Sequence, residues 1–204
     1  AALLKYLMET RKGTMGRRFE LIVFDWDGTL MDSTGAIVAS IKAAATDLGI
    51  APPSDERASH IIGLGLIDAL RHALPDLPAE RYQDVALRYR QHYMARDQDL
   101  LLFAGAAALI DELAAAGHML AVATGKTRKG LDRAFEVSGL GPRFHASRCA
   151  DECHSKPHPQ MLEELMEEFG VAPEVTLMIG DTTHDLLMAR NAGVAALGVA
   201  YGAH

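Results

Sequence analysis

The sequence predicts an α/β protein: a central parallel sheet with crossover helices, interrupted by one all-helical insertion. Two observations carry the prediction. Short apolar runs alternate with stretches of helical periodicity over most of the chain, and one long interval, from about Ser54 to Gln98, has helical periodicity and polar faces but no convincing strand. Strands that alternate with helices pair in parallel, since each crossover returns the chain to the same end of the sheet.

The first strand is the apolar run from Leu21, which ends in two carboxylates two residues apart, Asp25 and Asp27. Ser33 or Thr34 can then cap a helix through Ile37, Val38 and Ile41, with Gly49 as its stop, and Pro52-Pro53 breaks the pattern. Helical periodicity covers Ile67 to Leu74 and Glu80 to Arg96. Beyond Phe103 the alternation resumes with an Ala-rich helix from Gly105 to Ala116, a strand from His118 to Thr124 and a helix around Leu131 to Ser138. Strands at Phe144 to Ser147, Val175 to Ile179 and Val194 to Val199 follow, separated by helices at Gln160 to Phe169 and His184 to Ala192. No repeat or low-complexity segment interrupts this order.

Composition excludes several function classes. With 204 residues and 49% apolar content the chain can bury a substantial core. Its 20 Lys and Arg against 27 Asp and Glu give a net charge of −7, which opposes nonspecific attraction to nucleic acid or an anionic membrane. Asp111, Glu112 and His118 interrupt the best apolar stretch well short of the ~20 residues of a membrane span. Two cysteines, Cys149 and Cys153, are too few for a disulfide framework and fit a reducing compartment, so the expected location is the cytoplasm. Residues 1–14 lack the features of a secretory signal. Met15, just before Gly16-Arg17-Arg18, is the expected natural start, with residues 1–14 as an N-terminal extension; the alternative is an amphipathic helix through Leu3, Leu4, Leu7 and Met8.

In open parallel sheets ligands bind beyond the C-terminal ends of the strands, so strand ends are where chemistry is expected. Residues i and i+2 of an extended strand face one side, which directs Asp25 and Asp27 to one spot, where each raises the pKa of the other unless a cation intervenes. Gly28 permits a tight turn with backbone close to a ligand. Such a pair reads as a phosphoryl-transfer site, or else as a strand followed by an ordinary Asp-Gly turn. Thr124-Gly125-Lys126 ends a buried strand with a hydroxyl and a glycine able to donate hydrogen bonds to a phosphate. Lys156 stands in Ser155-Lys156-Pro157-His158-Pro159 at the start of a helix, where a cation and helix amides both suit an anion. Leu177-Met178-Ile179-Gly180-Asp181 repeats the pattern of an apolar strand ending in a carboxylate, with Asp185 one helical turn on; a helix N-cap is the plainer reading of Asp181.

Asp-x-Asp-Gly-Thr, Thr-Gly, Lys-Pro and Gly-Asp-x-x-x-Asp, in that order, resemble the haloacid dehalogenase superfamily and in particular its Mg²⁺-dependent phosphatases. The string Asp27 to Ser33, Asp-Gly-Thr-Leu-x-Asp-Ser, is similar to that of the phosphoglycolate phosphatase-like group. The resemblance covers the chain from about Phe19 onward. It implies a Rossmann-like core over residues 15–34 and 100–204, with a helical cap and its linkers over 35–99. It implies that Asp25 is the nucleophile, forming an aspartyl-phosphate, and that Asp27 is the general acid and base, with a pKa raised by anionic surroundings. Thr124, the Gly125 amide, Lys156 and the Asp27-Gly28 turn would hold the phosphate, and Mg²⁺ would sit on Asp25, the Asp27 carbonyl and Asp181, with Asp185 either a ligand or acting through water. The expected partner is a small phosphorylated metabolite, with no nucleic acid and no membrane, and the expected state is a monomer or weak homodimer.

The resemblance leaves alternatives. A sugar phosphomutase shares the whole constellation and differs in returning the phosphoryl group to a substrate hydroxyl. A phospho-accepting signalling or interaction protein would stop after one phosphate per chain, and a dehalogenase would need neither Asp27 nor Asp181. In the cap, Gly63-Leu64-Gly65-Leu66 is the expected loop facing the strand ends, and Arg57, His60, Arg71 and Arg88 are possible substrate ligands or else surface charges. Cys149, Cys153, His154 and His158 resemble a zinc set but lack paired knuckles, and His184 is expected along a helix surface. Lys126, Arg128 and Lys129 can attract anions or simply start a solvated helix. The chain stops at His204, soon after the last strand, where relatives usually add a short strand and a helix; an uncovered sheet edge is the expected consequence.

Overall fold

The computed structural model describes residues 18–203; the expectations for residues 1–14 and for a start at Met15 lie outside the described residues. The central feature is a five-stranded, wholly parallel sheet in the order β3-β2-β1-β4-β5. Its strands are β1 (Leu21–Phe24), β2 (Met119–Thr124), β3 (Ala146–Cys149), β4 (Thr176–Gly180) and β5 (Ala195–Gly198). Alternation along each strand feeds two separate cores. Ile22 and Phe24, with Leu120, Val122, Leu177 and Ile179, pack against Ile110 and Leu113 of helix α5 (Ala106–Ala115) on one face. Leu21 and Val23, with Ala121, Ala123 and Met178, pack against Met161, Leu162 and Leu165 of α7 (Gln160–Phe169) and Met188 of α8 (Thr183–Ala192) on the other. Burial on both faces is why these strands read as continuous apolar runs.

The segment between β1 and β2 carries α1 (Thr34–Asp47), α2 (Asp55–His60), α3 (Leu66–Ala73) and α4 (Tyr82–Met94) before α5. Ile37, Ile41, Ile61, Leu70, Tyr82 and Val85 form a third apolar cluster there. Helix α6 (Arg128–Ser138) starts three residues before the expected Leu131, because the Thr127 side chain accepts a hydrogen bond from the Gly130 amide and caps it. Strand β3 starts two residues later than expected. Phe144 is drawn out of the ladder into an aromatic cluster, stacked on Phe135 (5.6 Å between centroids) and edge-on to Trp26. Ser33 occupies the N-cap position of α1 without making the cap bond; its hydroxyl is used elsewhere. At the sheet edge β5 is largely exposed.

The order places β1 between β2 and β4, whose chains leave in opposite directions from the sheet's middle. A crevice opens at such a switch point, beyond the C-terminal ends of β1, β2 and β4. Among the described residues no helix is long and apolar enough to cross a membrane.

Candidate active site

Asp25 follows the last residue of β1, and its amide extends the pairing to the Ile179 carbonyl at 2.9 Å, which fixes where its side chain emerges. The turn after it requires Gly28, whose φ is +82° and at which a Cβ would collide with the Asp181 carboxylate. Thr29 donates its hydroxyl to Asp181 Oδ1 at 2.8 Å, and the Ala203 amide donates to Oδ2 at 2.7 Å. Asp181 is therefore held from the turn after β1 and from the segment after β5. It does not cap α8; Thr182 does, in a capping box whose other half is the Asp185 carboxylate. That box turns Asp185 inward, where Gly180 leaves room that any Cβ would fill.

Lys156, in the loop before α7, is buried and donates to Asp25 Oδ1 at 2.7 Å and to Asp185 Oδ1 at 2.6 Å. Asp25, Asp181 and Asp185 are all buried and offer oxygens within 4.8 Å of one another. Three carboxylates against one ammonium leave two negative charges in a water-poor site. Burial, then the Asp185 and Asp181 charges, push the Asp25 carboxyl well above its ordinary range, although Lys156 pulls the other way. Burial likewise raises Asp181. Among the described residues nothing hydrogen-bonds to the buried Asp25 Oδ2, an arrangement that costs free energy unless something electropositive meets it. Hard oxygen donors from three acids and the charge balance fit a divalent cation such as Mg²⁺.

Asp27 stands apart from this trio. Its Oδ1 accepts from the Ser33 hydroxyl at 2.7 Å and is 3.0 Å from Lys126 Nζ. Asp27 is paired with a cation, the case in which the sequence expects no mutual raising of the two carboxyls, and the acids whose charges raise Asp25 are Asp185 and Asp181. Nor are the surroundings of Asp27 simply anionic. Lys126 is largely buried and also donates to the Tyr93 hydroxyl of α4 at 3.0 Å. Burial opposes its charge, but Asp27, followed by Tyr93 and Tyr89, outweighs burial and holds the ammonium above its ordinary pKa. The sequence leaves Lys126 either as a cation that attracts anions or as part of a solvated helix start, and the structure excludes the second. The lysine's only signal was adjacency to Thr124-Gly125, since the partner that buries it is 33 residues away.

Thr124 is buried at the end of β2, where its Oγ1 accepts from the Lys126 amide at 3.2 Å. Gly125 is required by a close approach: a Cβ would lie 2.6 Å from the Gly63 carbonyl oxygen. The 63–66 loop thus does press on the strand ends, secured by the Gly65 amide donating to Ser155 Oγ at 2.9 Å and by a 2.9 Å bond between His184 Nε2 and the His60 carbonyl. His184 therefore meets the inserted segment and does not run along a free surface. Arg57, His60, Arg71 and Arg88 do not line the cavity between this segment and the sheet; Arg71 pairs with Asp68 and Arg88 with Gln91, both exposed. On α4 the face carrying Val85, Tyr89 and Tyr93 turns inward, which sends Arg88 outward. Cys149, Cys153, His154 and His158 do not form a metal-like cluster among the described residues. Burial raises both thiols, Cys149 to about 12 and Cys153 to about 11, so neither is a ready thiolate.

Comparison with known proteins agrees with this geometry. The chain is 39% identical over 191 residues to a probable phosphatase, IndB, of Dickeya dadantii, covering 90% of this chain and 82% of that one. It is 31% identical over 188 residues to a phosphoglycolate phosphatase of Agrobacterium fabrum, covering 89% and 81%. The crystal structure of a predicted phosphoglycolate phosphatase from Haemophilus somnus 129pt superposes with a TM-score of 0.82 at 27% identity, over 91% of this chain and 87% of that one. A family model, haloacid dehalogenase-like hydrolase, matches residues 22–199. The acids, threonine and lysine gathered at the strand ends thus belong to a phosphatase of the haloacid dehalogenase-like hydrolase family.

Proposed function

We propose that the protein hydrolyses a small phosphorylated metabolite with Mg²⁺ and through an aspartyl-phosphate, segment 35–99 acting as the cap on a core of 15–34 and 100–204. The observation that carries this reading is Asp25 itself: Lys156 fixes one carboxylate oxygen at 2.7 Å, and among the described residues nothing hydrogen-bonds to the other, which is buried. A carboxylate oriented in this way is a nucleophile with one free oxygen. Attack of that oxygen on phosphorus forms the Asp25–phosphate bond and breaks the ester bond, and Asp27 gives its proton to the departing alcohol oxygen. Asp27 then takes a proton from the water that attacks the phosphoenzyme. Thr124, the Gly125 amide and the Asp27-Gly28 turn hold the phosphoryl oxygens, and Lys156 balances charge on Asp25. Asp25, Asp181, Asp185 and the Asp27 carbonyl would hold Mg²⁺, which supplies charge neutralisation and polarises the phosphoryl group. The relatives' names make 2-phosphoglycolate one substrate to test.

Two measurements test this reading. Phosphate release from a generic aryl phosphate is expected with Mg²⁺ and is lost on chelation; undiminished release in chelator overturns the metal assignment. Mg²⁺ at about 100 times its Kd should also stabilise the fold by about 2.7 kcal/mol. This gain shrinks as pH falls, because the raised Asp25 and Asp181 carboxyls take up protons in competition with metal. Separately, Lys126→Met removes the cation beside Asp27 and is expected to lower kcat about 10- to 100-fold, within the range for perturbed acid–base catalysis. A steady-state assay that finds kcat unchanged removes Lys126 from the machinery.

A further inference from the structure

The cavity between the inserted helices and the sheet encloses about 500 Å³, inside the ~300–1,000 Å³ range of sites that bury drug-sized ligands. Asp27, Gly125 and Lys126 line it at the strand ends, and Lys129, Arg133 and Asp151 line it farther along the sheet side. Opposite them the helical segment presents hydrocarbon: Ile37 and Ile41 one turn apart on α1, Ile62 and Leu66, and the stacked rings of Tyr89 and Tyr93, 5.8 Å apart and inclined at 24°. The polar groups that this segment contributes are the exposed Arg90, the Tyr93 hydroxyl and Asp97, and the last two are already paired. The Tyr93 hydroxyl holds Lys126, and Asp97 is paired with Arg133.

The position of Asp27 decides what fills this space. The acid that protonates the departing oxygen must touch it, so the rest of the alcohol extends from Asp27 into the cavity that Asp27 lines. A two-carbon acid would leave most of that volume, and the apolar wall opposite Asp27, unfilled. Hexose hydroxyls meet the same apolar wall. A flat, mainly apolar body would bury its surface between the isoleucines and the tyrosine pair.

We infer that the alcohol released by this enzyme is a bulky, flat, mainly apolar one, arylmethyl or larger, and that Ile37, Ile41, Leu66, Tyr89 and Tyr93 select it. The inference rests on the phosphatase reading for which end of the substrate lies at Asp27. The test compares 2-naphthylmethyl phosphate with ethyl phosphate, both esters of primary alcohols, so that leaving-group chemistry is nearly constant. With Mg²⁺ present, kcat/KM for the naphthylmethyl ester should exceed that for ethyl phosphate, 2-phosphoglycolate and glucose 6-phosphate by about 100-fold. Leu66→Trp, which narrows the cavity from a half-buried position, should cut the naphthylmethyl-to-ethyl ratio about tenfold. A wild-type ratio near one, or a preference for 2-phosphoglycolate or the hexose phosphate, overturns the inference. So does equal affinity for naphthylmethylphosphonate and ethylphosphonate, measured by calorimetry without turnover. Failure to hydrolyse any of these esters or a generic aryl phosphate instead overturns the phosphatase reading.

Discussion

Asp25→Asn is expected to lower kcat by ~10⁴-fold or more while leaving the protein folded. The amide keeps the shape of the carboxylate and can still accept from Lys156, but it has no anionic oxygen to attack phosphorus. Stability should move the other way. Burial first, then Asp185 and Asp181, raise the Asp25 carboxyl above its unfolded value, so its contribution to stability is full below an unfolded pKa of about 3.9 and is lost as pH rises through the folded one. Without metal, the asparagine variant escapes that loss and should gain on the wild type as pH rises toward neutrality. Parallel assays of phosphate release and thermal unfolding in chelator check both. Retained turnover refutes the nucleophile assignment, and a folded but markedly less stable variant refutes the account of the charge balance.

Lys156→Met is expected to have the largest combined effect. It leaves Asp25 and Asp185, whose Oδ1 atoms lie 2.7 and 2.6 Å from Nζ, buried without their shared cation. Removing one partner of a buried ion pair costs about 3–5 kcal/mol, and two stranded carboxylates place this site at the upper end. Urea unfolding should show the loss at neutral pH, shrinking as the pH falls and Asp25 takes up a proton, since its folded pKa is the raised one. Mg²⁺ should restore part of the stability by supplying positive charge. It should not restore turnover, expected to fall ~10³-fold, because the charge that Lys156 balances reappears at each attack on phosphorus. A stability deficit that is independent of both pH and Mg²⁺ would mean that Lys156 acts by packing alone.

Most of the site was legible because it follows the logic of strand ends. Asp25, Thr124 and Asp181 each succeed an apolar run, and a polar residue in that position is conspicuous in one dimension. The order of the motifs then tied Lys156 and Asp185 to them. What escaped was anything decided by burial. Lys126 could be an anion-attracting cation or a solvated one, and only the contacts with Tyr93 and Asp27 decide between them; Ser33 reads as a helix cap, but its hydroxyl lies on Asp27. Arg57, Arg71 and Arg88 could be substrate ligands or surface charges, since charge is visible in a sequence but the inward face of a helix is set by what packs against it; all three are exposed.

By itself the sequence determined the alternating α/β order, the all-helical interruption after the first strand and the identities of the residues at the strand ends. Those features depend on local periodicity and on spacing, which neighbours in the chain impose on one another. Only the tertiary structure decided which carboxylates share a site, that Asp27 faces a lysine, and that the cavity beyond it is walled with hydrocarbon. Each of these depends on contacts between residues far apart in the chain, such as Thr29 with Asp181 and Lys126 with Tyr93, and on the exclusion of water that gives charge and apolar surface their energetic weight.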